Sequence, residues 1–231
     1  MPSGELGFHW CLWLGEPYAV HEFRLSVEAA HRLFPGVPRS AYSNAHNPSR
    51  HALRWIRAAD PGGVHPWRAK LRGLMAAPFG HTVFLDNDVY LLRGDFVSSM
   101  RSAARVWDLA MPLDPVRAPD MPMGCTAIVS YRPERTRGLL AAALALLERS
   151  PAPPALHRWS DQEALWLAWT TQADGALRVG LLPEEYYCYW QGYNTWWRTR
   201  HRRYACFALH GHNLTARVLA LQNRTSGGVS A

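Results

Sequence analysis

Two carboxylates one residue apart, Asp86 and Asp88, stand with Asn87 directly after the apolar run Thr82-Val83-Phe84-Leu85. A strand of such residues cannot bury an aspartate, so the pair is delivered to the strand's carboxyl end, where open α/β sheets bind their ligands. Carboxylate oxygens are hard donors, and two at this spacing suit Mg²⁺ or Mn²⁺. Asp and Asn also form turns after strands for purely local reasons, so the motif alone does not establish a metal site.

Three further groups could share that chemistry. Lys70 is the only lysine beside 24 arginines, and the wealth of Ala, Pro and Gly with only two Ile looks like GC-rich coding, which singles out the lone ammonium. A solvated surface lysine is the plain alternative. His210 closes an apolar stretch late in the chain, and a neutral imidazole suits Mn²⁺; a buried strand-end histidine is its structural counterpart. His212 lies just beyond it, and only one of the two need face a metal, while Gly211 between them permits close approach of the backbone to a phosphate. Asp161 and Gln162 follow Ser160 in a Ser-x-x-Glu capping pattern, which places them in a first helical turn. An acid is favoured there by the helix dipole whether or not it does chemistry.

The elements that must hold these residues alternate strand and helix. Phe8 to Leu14 is apolar at both parities, as a strand covered on both faces should be, and Gly15-Glu16-Pro17 ends it. Val20, Phe23, Val27, Ala30 and Phe34 then lay one stripe along a helix stopped by Pro35-Gly36. Val37 to Ser43 is a weaker strand, Thr126 to Tyr131 another, followed by an Ala/Leu-rich helix over 136–148. A helix through Leu165, Trp166 and Trp169, and strands near Val179–Leu182 and Tyr204–Leu209, complete an α/β pattern without internal repeats. The proline-rich segments Met111–Met123 and Pro151–Pro154 have no period and are expected to be loops, the first long enough for a lid.

A chain of 231 residues that is 48% apolar can build one sizeable core. The expected organisation is a single domain over residues 1–220 and a disordered tail over 221–231. No stretch approaches the roughly 18 apolar residues of a membrane span, and the amino terminus does not follow the signal-peptide pattern, so a cytoplasmic protein is expected. Cys11, Cys125, Cys188 and Cys206 are isolated, which suits buried reduced thiols better than a zinc or disulfide framework. The net charge of +7 favours anionic partners without choosing among a nucleotide, an acidic glycan and nucleic acid.

The run Lys70-x15-Asp86-Asn87-Asp88-Val89-Tyr90, with Pro78-Phe79 before it and Leu92-Arg93-Gly94-Asp95-Phe96 after it, resembles the nucleotide-diphospho-sugar transferases of the GT-A superfamily. The likeness continues in order through Gly124 to Val129, Ser160 to Leu165, Leu181-Leu182-Pro183 and Leu209-His210-Gly211-His212. It implies an α/β, Rossmann-like GT-A fold with a mixed, mostly parallel sheet flanked by helices. It also implies a metal-dependent glycosyltransferase that moves a sugar from a nucleotide diphosphate, a UDP-sugar foremost, to a hydroxyl acceptor. By the same resemblance Asp86, Asp88 and His210 would hold Mn²⁺ or Mg²⁺ on the diphosphate, Asp88 directly and Asp86 through the ion or the ribose. Lys70 would meet the sugar nucleotide, and Asp161 and Gln162 the donor sugar or the acceptor. In an inverting enzyme Asp161 is the candidate base; in a retaining one Asp161 or Gln162 lines the reacting face. Leu12, Gly15, Tyr42, Ser43 and Asn44 would cradle the nucleotide, Gly15 and Asn44 before the others. Gly124-Cys125-Thr126 departs from the Asn-Ser/Thr-Gly that often opens the corresponding strand.

Between Tyr186 and Tyr204 lie Tyr187, Tyr189, Trp190, Tyr193, Trp196 and Trp197, then Arg198, Arg200, Arg202 and Arg203. Aromatic platforms beside guanidinium groups suit sugars or unstacked bases, so the acceptor is expected to be a glycan or another hydroxylated molecule, with nucleic acid the alternative. A packed core edge with a solvated arginine face is the reading without function. A nucleotide-binding module without turnover is a further alternative; a nucleotidyltransferase would need a Gly-rich basic loop after the first strand, which Gly15-Glu16-Pro17 does not supply.

Overall fold

The computed structural model describes residues 5–13, 19–59, 65–113, 124–149, 160–172, 176–182, 188–189 and 208–210. In chain order the elements are β1 (Leu6–Leu12), α1 (Ala19–Leu33), β2 (Arg39–Ser43), β3 (Arg54–Arg57), α2 (Pro66–Ala76), β4 (His81–Leu85) and β5 (Val89–Leu91). There follow α3 (Phe96–Val106), β6 (Leu109–Pro112), β7 (Ile128–Tyr131), α4 (Pro133–Arg149), α5 (Asp161–Gln172), β8 (Val179–Leu182), β9 (Cys188–Tyr189) and β10 (Ala208–His210).

Seven strands form one sheet in the order β3-β2-β1-β4-β7-β6-β8. β7 runs antiparallel to both its neighbours and the other pairings are parallel, so the sheet is mixed and mostly parallel, as expected. A second, three-stranded sheet has the order β5-β10-β9.

Parity along β1 and β4 sorts side chains between two apolar layers. Phe8, Trp10, Leu12, Val83 and Leu85 join Phe23 and Val27 of α1 and Phe96 and Met100 of α3. Cys11 and Phe84 point the other way, into a cluster with Leu71 and Leu74 of α2, Leu140 and Ala143 of α4, and Leu165 and Ala168 of α5. Strands buried on both faces are what parallel sheets between helical layers require. Polar side chains on β1 find partners inside these layers: Trp10 Nε1 donates to Ser26 Oγ at 2.9 Å, and His9 bridges Ser40 Oγ at 2.7 Å and the Gly73 carbonyl at 2.9 Å.

Part of the proline-rich segment expected to be loop is strand. Leu109 to Met111 are buried between β7 and β8, and Pro112 stands at the strand's last residue, where its missing N–H costs least. The Leu113–Gly124 bridge closes the base of the rest, and a Cβ on Gly124 would lie 2.8 Å from Met111 Cβ. Residues 114–123, Pro151–Pro154, the 221–231 tail, Gly15, Gly211, His212 and the arginine cluster lie outside the described residues. No described helix is long and apolar enough to cross a membrane.

Candidate active site

Phe84 and Asp86 share a parity, so the residue that follows β4 is aimed at the α2 and α5 side of the sheet. The Asp86 amide donates to the Ala127 carbonyl at 2.8 Å, extending the antiparallel ladder with β7 by one bond. Val89 N donates to the Asp86 carbonyl at 3.1 Å and closes a four-residue turn over Asn87 and Asp88. The turn therefore has a local reason to exist in its own backbone bonding.

Helix α2 begins with His65 as N-cap and Pro66 in its first turn, where proline's missing donor is harmless. Gly73, one turn beyond Lys70, lets the helix approach β1: a Cβ there would lie 3.2 Å from Cys11 Cβ. That approach sets Lys70 over the end of the sheet. Helix α5 opens with the expected capping box, Ser160 N donating to Glu163 Oε2 at 2.8 Å and Glu163 N to Ser160 Oγ at 3.4 Å. Asp161 and Gln162 follow, buried to 5% and 7% exposure.

These elements converge on one ammonium group. Lys70 Nζ lies 2.8 Å from Asp86 Oδ1, 2.9 Å from Asp86 Oδ2 and 3.1 Å from Asp161 Oδ2. It donates as well to Thr126 Oγ1 at 3.2 Å, and Thr126 donates to Asp161 Oδ2 at 2.5 Å. Burial works against the charged lysine, but the Asp161 and Asp86 carboxylates and the Asp86 hydrogen bond outweigh it and raise its pKa above the ordinary lysine value. The Lys70 side chain is 13% exposed, so it is no solvated surface lysine. Beneath it, burial pushes the Cys11 thiol up to about 12, and Cys125 is buried too; neither is in a disulfide, as expected for reduced structural thiols.

The other candidates fall around this centre in different ways. Val89, directly after Asp88, lies opposite His210 in the antiparallel pairing of β5 with β10, so 122 positions of chain are folded back to set the His210 main chain beside the Asp88 turn. Asp86 is bound at both oxygens by Lys70, whereas Asn87 Oδ1 is buried without a hydrogen-bond partner among the described residues. A hard divalent ion fits this donor set through Asp88 and Asn87 Oδ1, with the His210 main chain alongside, although no described cluster of three His, Cys, Asp or Glu side chains forms a ready-made cage. Leu12 is wholly buried in the core, which leaves only its main chain for a ligand. Asn44 is half-buried just after β2, where Ser43 Oγ accepts from Ala45 N at 2.9 Å.

Sequence reasoning missed Thr126 as a member of the site. Its only signal was its place in the Gly124-Cys125-Thr126 departure; its partners are 56 and 35 residues away.

The sheet order, the acidic turn after β4 and the helices on both faces define an α/β protein of the GT-A fold. The galactosyltransferase LgtC, solved in complex with donor and acceptor sugar analogues, superposes with a TM-score of 0.60 at 10% identity over 97% of this chain and 96% of that one. An active-site mutant of LgtC superposes with a TM-score of 0.58 at 10% identity, over 90% and 87% of the two chains. No protein-family profile and no curated protein sequence matches the chain.

Proposed function

We propose that this chain is a glycosyltransferase that takes the sugar of a nucleotide diphosphate, a UDP-sugar foremost, to a hydroxyl acceptor with the help of Mn²⁺ or Mg²⁺. The observation that carries the reading is the convergence of Asp86 from β4 and Asp161 from α5 on Lys70, beside the Asp88 turn, in a GT-A fold. In the transfer the bond from the anomeric carbon to the diphosphate oxygen breaks and its electrons leave with the nucleotide. A bond to the acceptor oxygen forms, and the hydroxyl proton is released to a base or to water.

Asp88, Asn87 and His210 are the residues that would hold the ion, Asp88 supplying the anionic ligand. A divalent cation bound there supplies charge neutralisation at the departing diphosphate. Lys70 holds Asp86 and Asp161 in place and compensates their charge. Asp161 and Gln162, rigid at a capped and buried helix start, are suited to hold the hydroxyls of the reacting sugar, because fixed groups lose little freedom on binding. Asn44 and the main chain of Leu12 lie at the carboxyl ends of β2 and β1, the edge at which a nucleotide would sit.

The test is a thermal-shift screen of sugar nucleotides with and without Mn²⁺, followed by an assay of nucleotide release. The expected result is stabilisation by at least one UDP-sugar that strengthens with Mn²⁺, and release that the ion accelerates. A chain that no sugar nucleotide stabilises, and that releases no nucleotide under any of these conditions, would overturn the proposal.

A further inference from the structure

Thr126 enters the site from the turn before β7, 3% exposed, on a backbone fixed by the bond from Asp86 N to its neighbour Ala127. Its hydroxyl has one proton, given to Asp161 Oδ2 at 2.5 Å, and its oxygen accepts from Lys70 Nζ at 3.2 Å. Asp161 Oδ2 is thus held by a hydroxyl and an ammonium together, the latter at 3.1 Å, while Asp161 Oδ1 takes no hydrogen bond among the described residues. A carboxylate with one oxygen fixed by two donors cannot turn without breaking both, so its second oxygen has a single direction. Threonine is well made for this, because β-branching restricts χ1.

We propose that Thr126 is a positioning residue: it orients Asp161 so that Oδ1 accepts a hydroxyl of the transferred sugar, and so lets the site distinguish a sugar nucleotide from the bare nucleotide. This rests on the glycosyltransferase reading above. The sugar-side selectivity is built from three elements, α2, α5 and the turn before β7, none of which is the acidic turn after β4. Loss of the Thr126 hydroxyl should accordingly be felt where the sugar sits and not where the nucleotide sits.

The experiment compares Thr126→Val, which keeps the shape and removes the hydroxyl, with Thr126→Ser, which keeps the hydroxyl. Binding of UDP is measured beside that of whichever of UDP-glucose, UDP-galactose and UDP-N-acetylglucosamine stabilises the wild type. The expected result for Thr126→Val is a loss of about tenfold in sugar-nucleotide affinity, the effect of one hydrogen bond to a charged group, with UDP affinity unchanged. Thr126→Ser should recover most of the loss. If Thr126→Val does not fold, Thr126→Ala serves the same comparison. Equal weakening of UDP and the sugar nucleotide, or wild-type affinity for both in a folded variant, would overturn the proposal. A wild type that no sugar nucleotide in the screen stabilises, and that releases no nucleotide, overturns the parent reading, and that result is seen before any variant is made.

Discussion

Lys70 is the cation held between two carboxylates, so its removal leaves Asp86 and Asp161 facing each other without that compensation. Breaking a buried pair costs about 3–5 kcal/mol, and the 25% exposure of the Asp86 side chain moderates that here, so Lys70→Met should destabilise the protein by roughly 2–4 kcal/mol in urea unfolding. The pKa of Lys70 is raised in the folded protein, so its contribution is complete below the unfolded value of about 10.4 and is lost only as pH climbs past it. The deficit of Lys70→Met should therefore be constant between about pH 6 and 9; a deficit that disappears within that window contradicts the assigned pairing. Asp88→Asn makes the complementary case. An amide cannot supply an anionic ligand, so Mn²⁺-dependent transfer should drop by roughly 10²-fold or more while the melting temperature stays the same. Unchanged metal-dependent activity in that variant would remove Asp88 from the site.

Helix α2 is a positioning element whose placement depends on one small residue. Gly73→Val would press into Cys11 and Tyr42, since a Cβ alone already comes within 3.2 Å of Cys11 Cβ and 3.4 Å of the Tyr42 ring. The helix must then rise from β1 and carry Lys70 with it, at a cost of about 1–3 kcal/mol, and activity should fall further than the stability loss explains. Wild-type activity in a folded Gly73→Val protein would uncouple the helix from the site. The same contact involves His9, whose pKa burial lowers to about 4 against the weaker, opposing hydrogen bonds to Gly73 and Ser40. Burial likewise lowers His81 to about 4, helped by Arg132 and Arg101. Between about pH 6.5 and 4 the unfolded chain then binds more protons than the folded one, so stability is lost as pH drops through that window, by roughly 3 kcal/mol per histidine. His9→Asn should shed close to half of that slope in denaturant titrations at stepped pH. The strands and helices that carry these groups were legible where the signal was local: both-parity apolar runs marked β1 and β4, and Ser160 with Glu163 marked the start of α5. β3 is a four-residue edge strand, Arg-Trp-Ile-Arg, with too little apolar surface to announce itself, and β6 was hidden by Pro112. Of the site, Asp86 and Asp161 were readable from their places at element ends. The Lys70–Thr126–Asp161 contact was not, because it exists only once three distant elements pack.

At the scale of the molecule, a net charge of +7 and a pI near 9.6 make anionic partners electrostatically favourable. Arg198, Arg200, Arg202 and Arg203 are the densest cationic run in the sequence. Were the acceptor a nucleic acid, the logarithm of its affinity would fall linearly with the logarithm of salt by roughly 0.7–0.9 per phosphate contact, whereas a neutral glycan would show no such slope. Neutralising two of these arginines should weaken the acceptor more than the donor; an unchanged affinity and slope would reduce the run to a solvated face. The two sheets also differ in when they can exist. Among the described residues, the last strand of the seven-stranded sheet, β8, ends at Leu182, but the strand that backs the Asp88 turn, β10, begins only at Ala208. At a synthesis rate of roughly 5–20 residues per second, the larger sheet emerges from a ribosome seconds before the partner of β5 does. For that interval the nascent chain holds the Lys70 cluster without the strand that braces its neighbouring turn, so donor binding should switch on late and abruptly in a series of stalled chains of increasing length. The protein would be born folded before it is born competent.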